Sequence, residues 1–320
     1  MTTIGYHASH EQFPPSQLLD CVQQAEAAGF DAAMCSDHFH PWSTDQGESG
    51  FSFAWLGAAL QATGLPMGVV CAPGYRYHPA IVAQATATLA EMFPQRFWPA
   101  FGSGQALNEA ITGQQWPSKP ERNARLEESV QIIRQLWSGE TVDHRGLIHV
   151  EQATLYTRPD NPPPAFGAAI TPGTARRVAN WADGMITIAH PIDELEEVVD
   201  AFRNSGGADK PMYLQMQLSF ADDDETALQQ AYDQWRTNIF DSPLLSELRT
   251  PEQFEAAASF VEPDDLQGPV RCSSNLHRHT QWIREVLQLG FDAVFLHNVG
   301  PNQREFISAF GEQVLPKLGN

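Results

Sequence analysis

Apolar positions along the chain follow two alternating periods, short runs of strand type and longer stretches spaced at three and four residues. Thr3–Ser9 alternates and predicts a first strand. Pro14 and Pro15 open a helix through Ala28, with Leu18, Leu19, Val22 and Ala25 on one face and Gly29 as its stop. The pattern repeats down the chain. Strands are predicted at Ala32–Ser36, Leu65–Ala72 and Phe97–Phe101, and helices at Ala54–Thr63, Pro79–Met92 and Glu121–Trp137. The last helix carries Leu126, Val130, Ile133 and Leu136 at helical spacing.

Thr141–Gly146 and Leu147–Val150 break the rhythm and read as two short strands turning at Gly146. Alternation then resumes with strand Ala165–Ala169, helix Pro172–Ala182, strand Met185–Ala189 and helix Ile192–Asn204. Strand Tyr213–Phe220 and helix Glu225–Trp235 follow, then an irregular Ile239–Asp265 with Pro243, Pro251 and Pro263, expected to form a short helical insertion. Helix His279–Leu289, strand Ala293–His297 and helix Gln303–Leu315 complete the chain.

About eight strands, nearly all followed by a helix, imply parallel pairing. A weak repeat supports this: Ala28-Gly-Phe-Asp-Ala32 recurs as Leu289-Gly-Phe-Asp-Ala293, with Trp181-Ala-Asp-Gly184 as a cousin. Each is a short joint from helix to strand. The strands that follow end near His38, His190 and His297, placing these histidines on one rim. No Gly-x-Gly-x-x-Gly follows the first strand, which disfavours a Rossmann domain. The expectation is an α/β fold, a single-domain (β/α)8 TIM-like barrel spanning residues 1–320, with insertions near 138–162 and 239–268.

Composition narrows the partners. Net charge is −20, from 39 acids against 19 Lys and Arg, which argues against nucleic acid and anionic membranes. Cys21, Cys35, Cys71 and Cys272 are scattered without a CxxC pair, so reduced thiols in a cytoplasmic protein are expected rather than a disulfide frame or metal site. No basic-then-apolar leader and no apolar run of about 20 residues is found.

The stretch Ala32–Trp42 carries the candidate chemistry. An apolar strand ends abruptly in Asp37, His38, His40 and Trp42. Ionisable groups at a buried strand end are costly unless satisfied or employed, and loops at the C-terminal ends of parallel strands are where α/β folds place their sites.

Four motifs stand in order: Ser36-Asp-His-Phe-His-Pro-Trp42, Pro73-Gly-Tyr-Arg-Tyr-His-Pro79, Gly102-Ser-Gly-Gln-Ala-Leu-Asn-Glu109 and Arg134-Gln-Leu-Trp-Ser-Gly139. Together they resemble the luciferase-like family, and within it the branch of dehydrogenases of glucose 6-phosphate that use the deazaflavin F420. The resemblance covers nearly the whole chain, including the Phe291–Gly300 strand. It implies a flavin or deazaflavin at the C-terminal rim, and often a homodimer. It further implies His38, with Asp37 beside it, as the base that takes a hydroxyl proton during hydride transfer, and Trp42 packed at the reacting centre. Val70, Cys71 and Ala72 would form a non-prolyl cis-peptide bulge under the ring. Asp37, Ser103, Gly104 and Asn108 would line the ring, and Ala168, Ala169, Ile170, Thr171 and Thr174 would hold the cofactor phosphate at a helix N-terminus.

Two departures from that branch alter the expectation. Gln105 stands where the dehydrogenases carry a glutamate, and an amide donates a hydrogen bond but delivers no proton. His190-Pro191 replaces an expected lysine of the sugar-phosphate clamp, and the basic residues near Gly268–Arg271 fail to align, so a phosphorylated sugar is disfavoured. The expectation is therefore FMN, with F420 as the alternative. The substrate is expected to be small and uncharged, lined by His40, Trp55, Tyr75, His190 and His297, with Gln105 among the catalytic groups. A partner flavin reductase fits a monooxygenase version. An idle flavin carrier is the remaining alternative.

Overall fold

The computed structural model describes residues 2–319. Its strands are β1 (Thr3–Ala8), β2 (Ala32–Ser36), β3 (Met67–Cys71), β4 (Phe97–Phe101), β5 (Val142–Arg145), β6 (His149–Ala153), β7 (Phe166–Ala168), β8 (Gly184–Ile188), β9 (Met212–Ser219), β10 (Arg271–Cys272) and β11 (Ala293–Asn298). Eight of them pair in parallel and close in the order β1-β2-β3-β4-β7-β8-β9-β11, with β11 returning to β1. The TIM-like barrel is thus the fold. β5 and β6 form the antiparallel excursion expected at Gly146. The two-residue β10 adds to β9 at the rim, a pairing too short to leave a period in the sequence.

The Gly-Phe-Asp repeat has a physical basis. Gly29 and Gly290 take φ of +94° and +83°, a region other residues avoid, and so end their helices. Phe30 and Phe291 pack into the main core between strands and helices. The Asp31 carboxylate accepts from the Ile4 amide and Asp292 from the Met212 amide, each at 2.9 Å, satisfying the first donors of neighbouring strands. Asp183 does the same for Ala165 at 2.8 Å.

Side chains on the eight strands alternate between that outer core and the barrel interior. Trp98, Phe166, Tyr213 and Phe295 fill the lower interior, with neighbouring ring centroids 4.3–5.8 Å apart. Gly68 makes room for this plug, because a Cβ there would collide with the Trp98 indole. The lower barrel is closed by apolar rings, so polar chemistry is confined to the upper end.

Several expected limits shift by a few residues, as at Met67–Cys71 and Ser52–Ala62. The helix predicted from His279 starts at Leu276, because the Asn275 side chain accepts from the His277 amide at 3.0 Å and caps it earlier. The irregular 239–268 segment holds the expected short helical insertion, as two helices, Ser242–Glu247 and Pro251–Ala257. Phe254 from the second packs with Trp42 and Leu107 above the barrel mouth. No helix among the described residues is long and apolar enough to cross a membrane.

Candidate active site

The Asp37 amide still donates to the Val70 carbonyl at 2.9 Å, so His38 is the first residue to leave the β2–β3 ladder. The Asp37 carboxylate is buried and fully engaged. One oxygen accepts from Ser52 Oγ at 2.6 Å and Tyr77 Oη at 3.4 Å, and the other from Arg76 Nη2 at 2.7 Å. Arg76 also meets Glu109, whose Oε2 accepts from the Arg76 amide at 2.8 Å. Burial raises the Glu109 carboxyl to about 7 against the pull of Arg76. Asp37 therefore ties three loops together and holds His38 in place. Asp37, expected at reactant or cofactor, has both oxygens engaged by protein donors.

His38 sits with its Nδ1 3.5 Å from Glu11 Oε1 and its ring 5.0 Å from Trp42. Burial, and secondarily Arg76, lower its pKa to about 4. Burial raises Glu11 to about 7, opposed by backbone and Ser9 hydrogen bonds. The imidazole is thus neutral at neutral pH and its Nε2 is directed away from Glu11. The loop beyond is fixed by Asn108, whose Oδ1 accepts from the Phe39 and His40 amides at 2.8 and 3.3 Å. The His40 ring is bonded to the Leu107 carbonyl at 2.8 Å. Both residues, expected at cofactor and substrate, brace the His38 loop.

On the β3–β4–β7 side the mouth is built from small residues. Val70 and Ala168 face the interior, Gly102 lies against Ala168, and Ser103 Oγ accepts from Lys119 Nζ at 2.7 Å. Gln105 starts the helix at Ala106 and its amide makes no hydrogen bond among the described residues. Thr171 caps the ten-residue helix Pro172–Trp181 by accepting from the Thr174 amide at 3.3 Å. The space before Gly173 is open. Three expectations on this side are corrected. Cys71 and Ala169 are buried in the outer cores, because alternation turns them away from the interior. No cis peptide occurs among the described residues: the β3–β4 ladder runs regularly through Cys71, and Gly102 continues it by donating to the Cys71 carbonyl.

The β9–β11–β1–β2 side is built from imidazoles and amides. His297 stacks on His7 with centroids 4.3 Å apart. Its Nε2 meets Gln12 Oε1 at 2.9 Å and its Nδ1 meets Gln215 Nε2 at 3.3 Å. Burial lowers His297 to about 3, and His7 is also depressed. Trp55 lies in the main core with its indole N–H on the Pro15 carbonyl, which removes it from the substrate set. Tyr75 stacks with Trp116 and lies under Arg125. His190 is half-buried with Nε2 unpartnered. His7, Glu11, Gln12, Arg76, Glu109 and Gln215 were missed in the sequence reading. The rule applied to Asp37 and His38, ionisable groups at a strand end, applies equally to Glu11 after β1.

No cluster of metal-ligating side chains occurs among the described residues, and the four cysteines are free. A neutral histidine, an open small-residue wall and a polar wall at one mouth fit an organic cofactor. The family model described as luciferase-like monooxygenase matches residues 1–293. The chain belongs to that family. An F420-dependent glucose-6-phosphate dehydrogenase of Nakamurella multipartita is 36% identical, over 98% of this chain and 96% of that protein. One from Microbacterium testaceum is 33% identical, over 98% and 97%. The solved structure of an F420-dependent secondary alcohol dehydrogenase in complex with an F420–acetone adduct is 30% identical, with a TM-score of 0.92 over 100% of this chain and 99% of that one. The monooxygenase RslO1 from Streptomyces bottropensis, 18% identical with a TM-score of 0.74, shares the fold. The chain is an oxidoreductase of the flavin and F420 class.

Proposed function

We propose that this protein is an F420-dependent dehydrogenase interconverting a small, unphosphorylated alcohol and its carbonyl. This reverses the order of cofactors expected from Gln105 and the missing sugar-phosphate clamp. The observation that carries it is the neutral, largely enclosed His38 between Glu11 and Trp42, on a chain similar over its full length to F420-dependent dehydrogenases. Bound F420 supplies the hydride acceptor. His38 Nε2 takes the hydroxyl proton as the carbon loses hydride, and Glu11 on the far side stabilises the imidazolium. A contact of 3.5 Å is long for a hydrogen bond and shortens as charge develops. Gly102, Gly104, Ala168 and the Thr171–Thr174 turn would hold the cofactor. The absence of phosphate in the substrate is supported by charge. None of the eight barrel strands contains Asp, Glu, Lys or Arg, and Arg76 is already committed to Asp37 and Glu109. A phosphate dianion there would lack compensation.

One observation favours FMN as a second reading. Gln105 offers an unpartnered amide, which suits a hydrogen bond to a reduced flavin ring but not proton delivery. The test is turnover. F420 incubated with 2-propanol and the protein should lose its visible absorbance, and the His38→Ala variant should not cause that loss. Persistence of the absorbance with wild-type protein across a panel of alcohols would contradict the proposal.

A further inference from the structure

The mouth of the barrel is divided. Small residues of the β3, β4 and β7 ends leave room for a flat ring on one side. On the other side, the interior faces of β1, β9 and β11 present His7, Gln215, Gln217 and His297. His297 pairs in register with Gln217, and its Nδ1 is already taken by Gln215. Gln217 is 5% exposed and its side-chain amide has no hydrogen bond among the described residues. His7, 2% exposed, leaves Nδ1 unpartnered, and its Nε2 is 3.5 Å from Ser36 Oγ. The Gln217 amide has no protein partner yet is not sealed off, so it is free to pair with a ligand in the mouth, whereas His7 Nδ1 is sealed beneath it. Neither lies on the small-residue wall.

We propose that Gln217 binds a second polar group of the substrate, an uncharged hydroxyl or carbonyl next to the reacting carbon. The substrate class is then the vicinal diol or its hydroxyketone rather than the simple secondary alcohol. This rests on the dehydrogenase reading above. Gln217 Nε2 donates to the second oxygen while its Oε1 accepts a hydroxyl proton, so one amide serves both the diol and the hydroxyketone. Because no barrel strand bears a charged side chain, the group recognised is neutral.

The test compares 1,2-propanediol and 2,3-butanediol with 2-propanol and 2-butanol, using F420 as acceptor. Wild-type protein should favour the diols in kcat/KM by at least about ten-fold, as expected when a site built for a hydroxyl rejects an analogue lacking it. In Gln217→Met, near-isosteric but without the amide, that ratio should collapse toward one. Equal kcat/KM for diols and monoalcohols in the wild type, or a preference that survives Gln217→Met, would overturn the inference while leaving the dehydrogenase intact. Should Gln217→Met not fold, the wild-type ratio alone decides. No turnover of any alcohol would overturn the dehydrogenase reading and this inference with it.

Discussion

At the scale of the residue, function rests on groups whose ionisation is set by burial. His38 is held neutral, with its pKa lowered to about 4, and Glu11 is raised to about 7. In the proposed reaction Glu11 is needed as a carboxylate, since only then would it stabilise the imidazolium formed by proton uptake. Alcohol oxidation should therefore rise with pH through about 7, and Glu11→Gln should remove that limb while lowering kcat. A rate profile identical in wild type and Glu11→Gln would assign the limb elsewhere. His38→Ala should lower kcat by about 10²–10⁴-fold, with cofactor affinity changed much less. Single-turnover kinetics and fluorescence titration separate the two effects. His38 was legible because it ends an apolar strand in an ionisable cluster. Glu11 was not, because it falls two residues past Ser9 in what reads as an ordinary connection. Asp37 was legible as buried and polar, but its triple engagement depends on Ser52, Arg76 and Tyr77, which only the fold brings together.

At the scale of elements, boundaries followed caps and stops. The expected limits at Ala32–Ser36, Phe97–Phe101 and Pro79–Met92 coincide with the observed ones, since each has a sharp apolar run or an N-terminal proline. The error at Cys71 and Ala169 came from naming whole strand ends as cofactor ligands, although alternation exposes only every second residue to the interior. The insertion carrying Phe254 had no readable period, yet it covers the site: Phe254 meets Trp42 edge-on at 5.2 Å. Phe254→Ala should cost about 3–5 kcal/mol if the cavity stays open. Limited proteolysis should then cut first within 242–257, whereas cleavage starting elsewhere would show that this segment is anchored independently. Polar ties add to this contact: the buried Arg122 donates to Glu247 at 2.7 Å, and the Thr44 amide to Glu255 at 2.7 Å.

At the scale of the whole molecule, the barrel was legible because parallel pairing, a repeated joint and eight strands are written locally. The division of its mouth was not, since it arises from which strands become neighbours on closure. The same buried histidines shape the response to pH. His10, His38, His279 and His297 have pKa values lowered to about 4, 4, 4 and 3. The unfolded chain binds more protons at these sites between about pH 6.5 and 4, so they favour the folded state above that window and lose this contribution as pH falls through it. Glu11 and Glu109, raised to about 7, act in the opposite sense between about pH 4.5 and 7. Four histidines outweigh two acids, so the urea midpoint should fall on acidification from pH 6.5 to 4. A midpoint that rises over that range would place the charges differently.

The central claim is that this mouth is fitted to F420. The most direct measurement is fluorescence titration of the purified protein with F420 and, separately, with FMN. Micromolar or tighter binding of F420, with FMN at least about ten-fold weaker, is the expected result. Tight FMN binding without measurable F420 binding would contradict it and turn the unpartnered Gln105 amide into the deciding feature of the site.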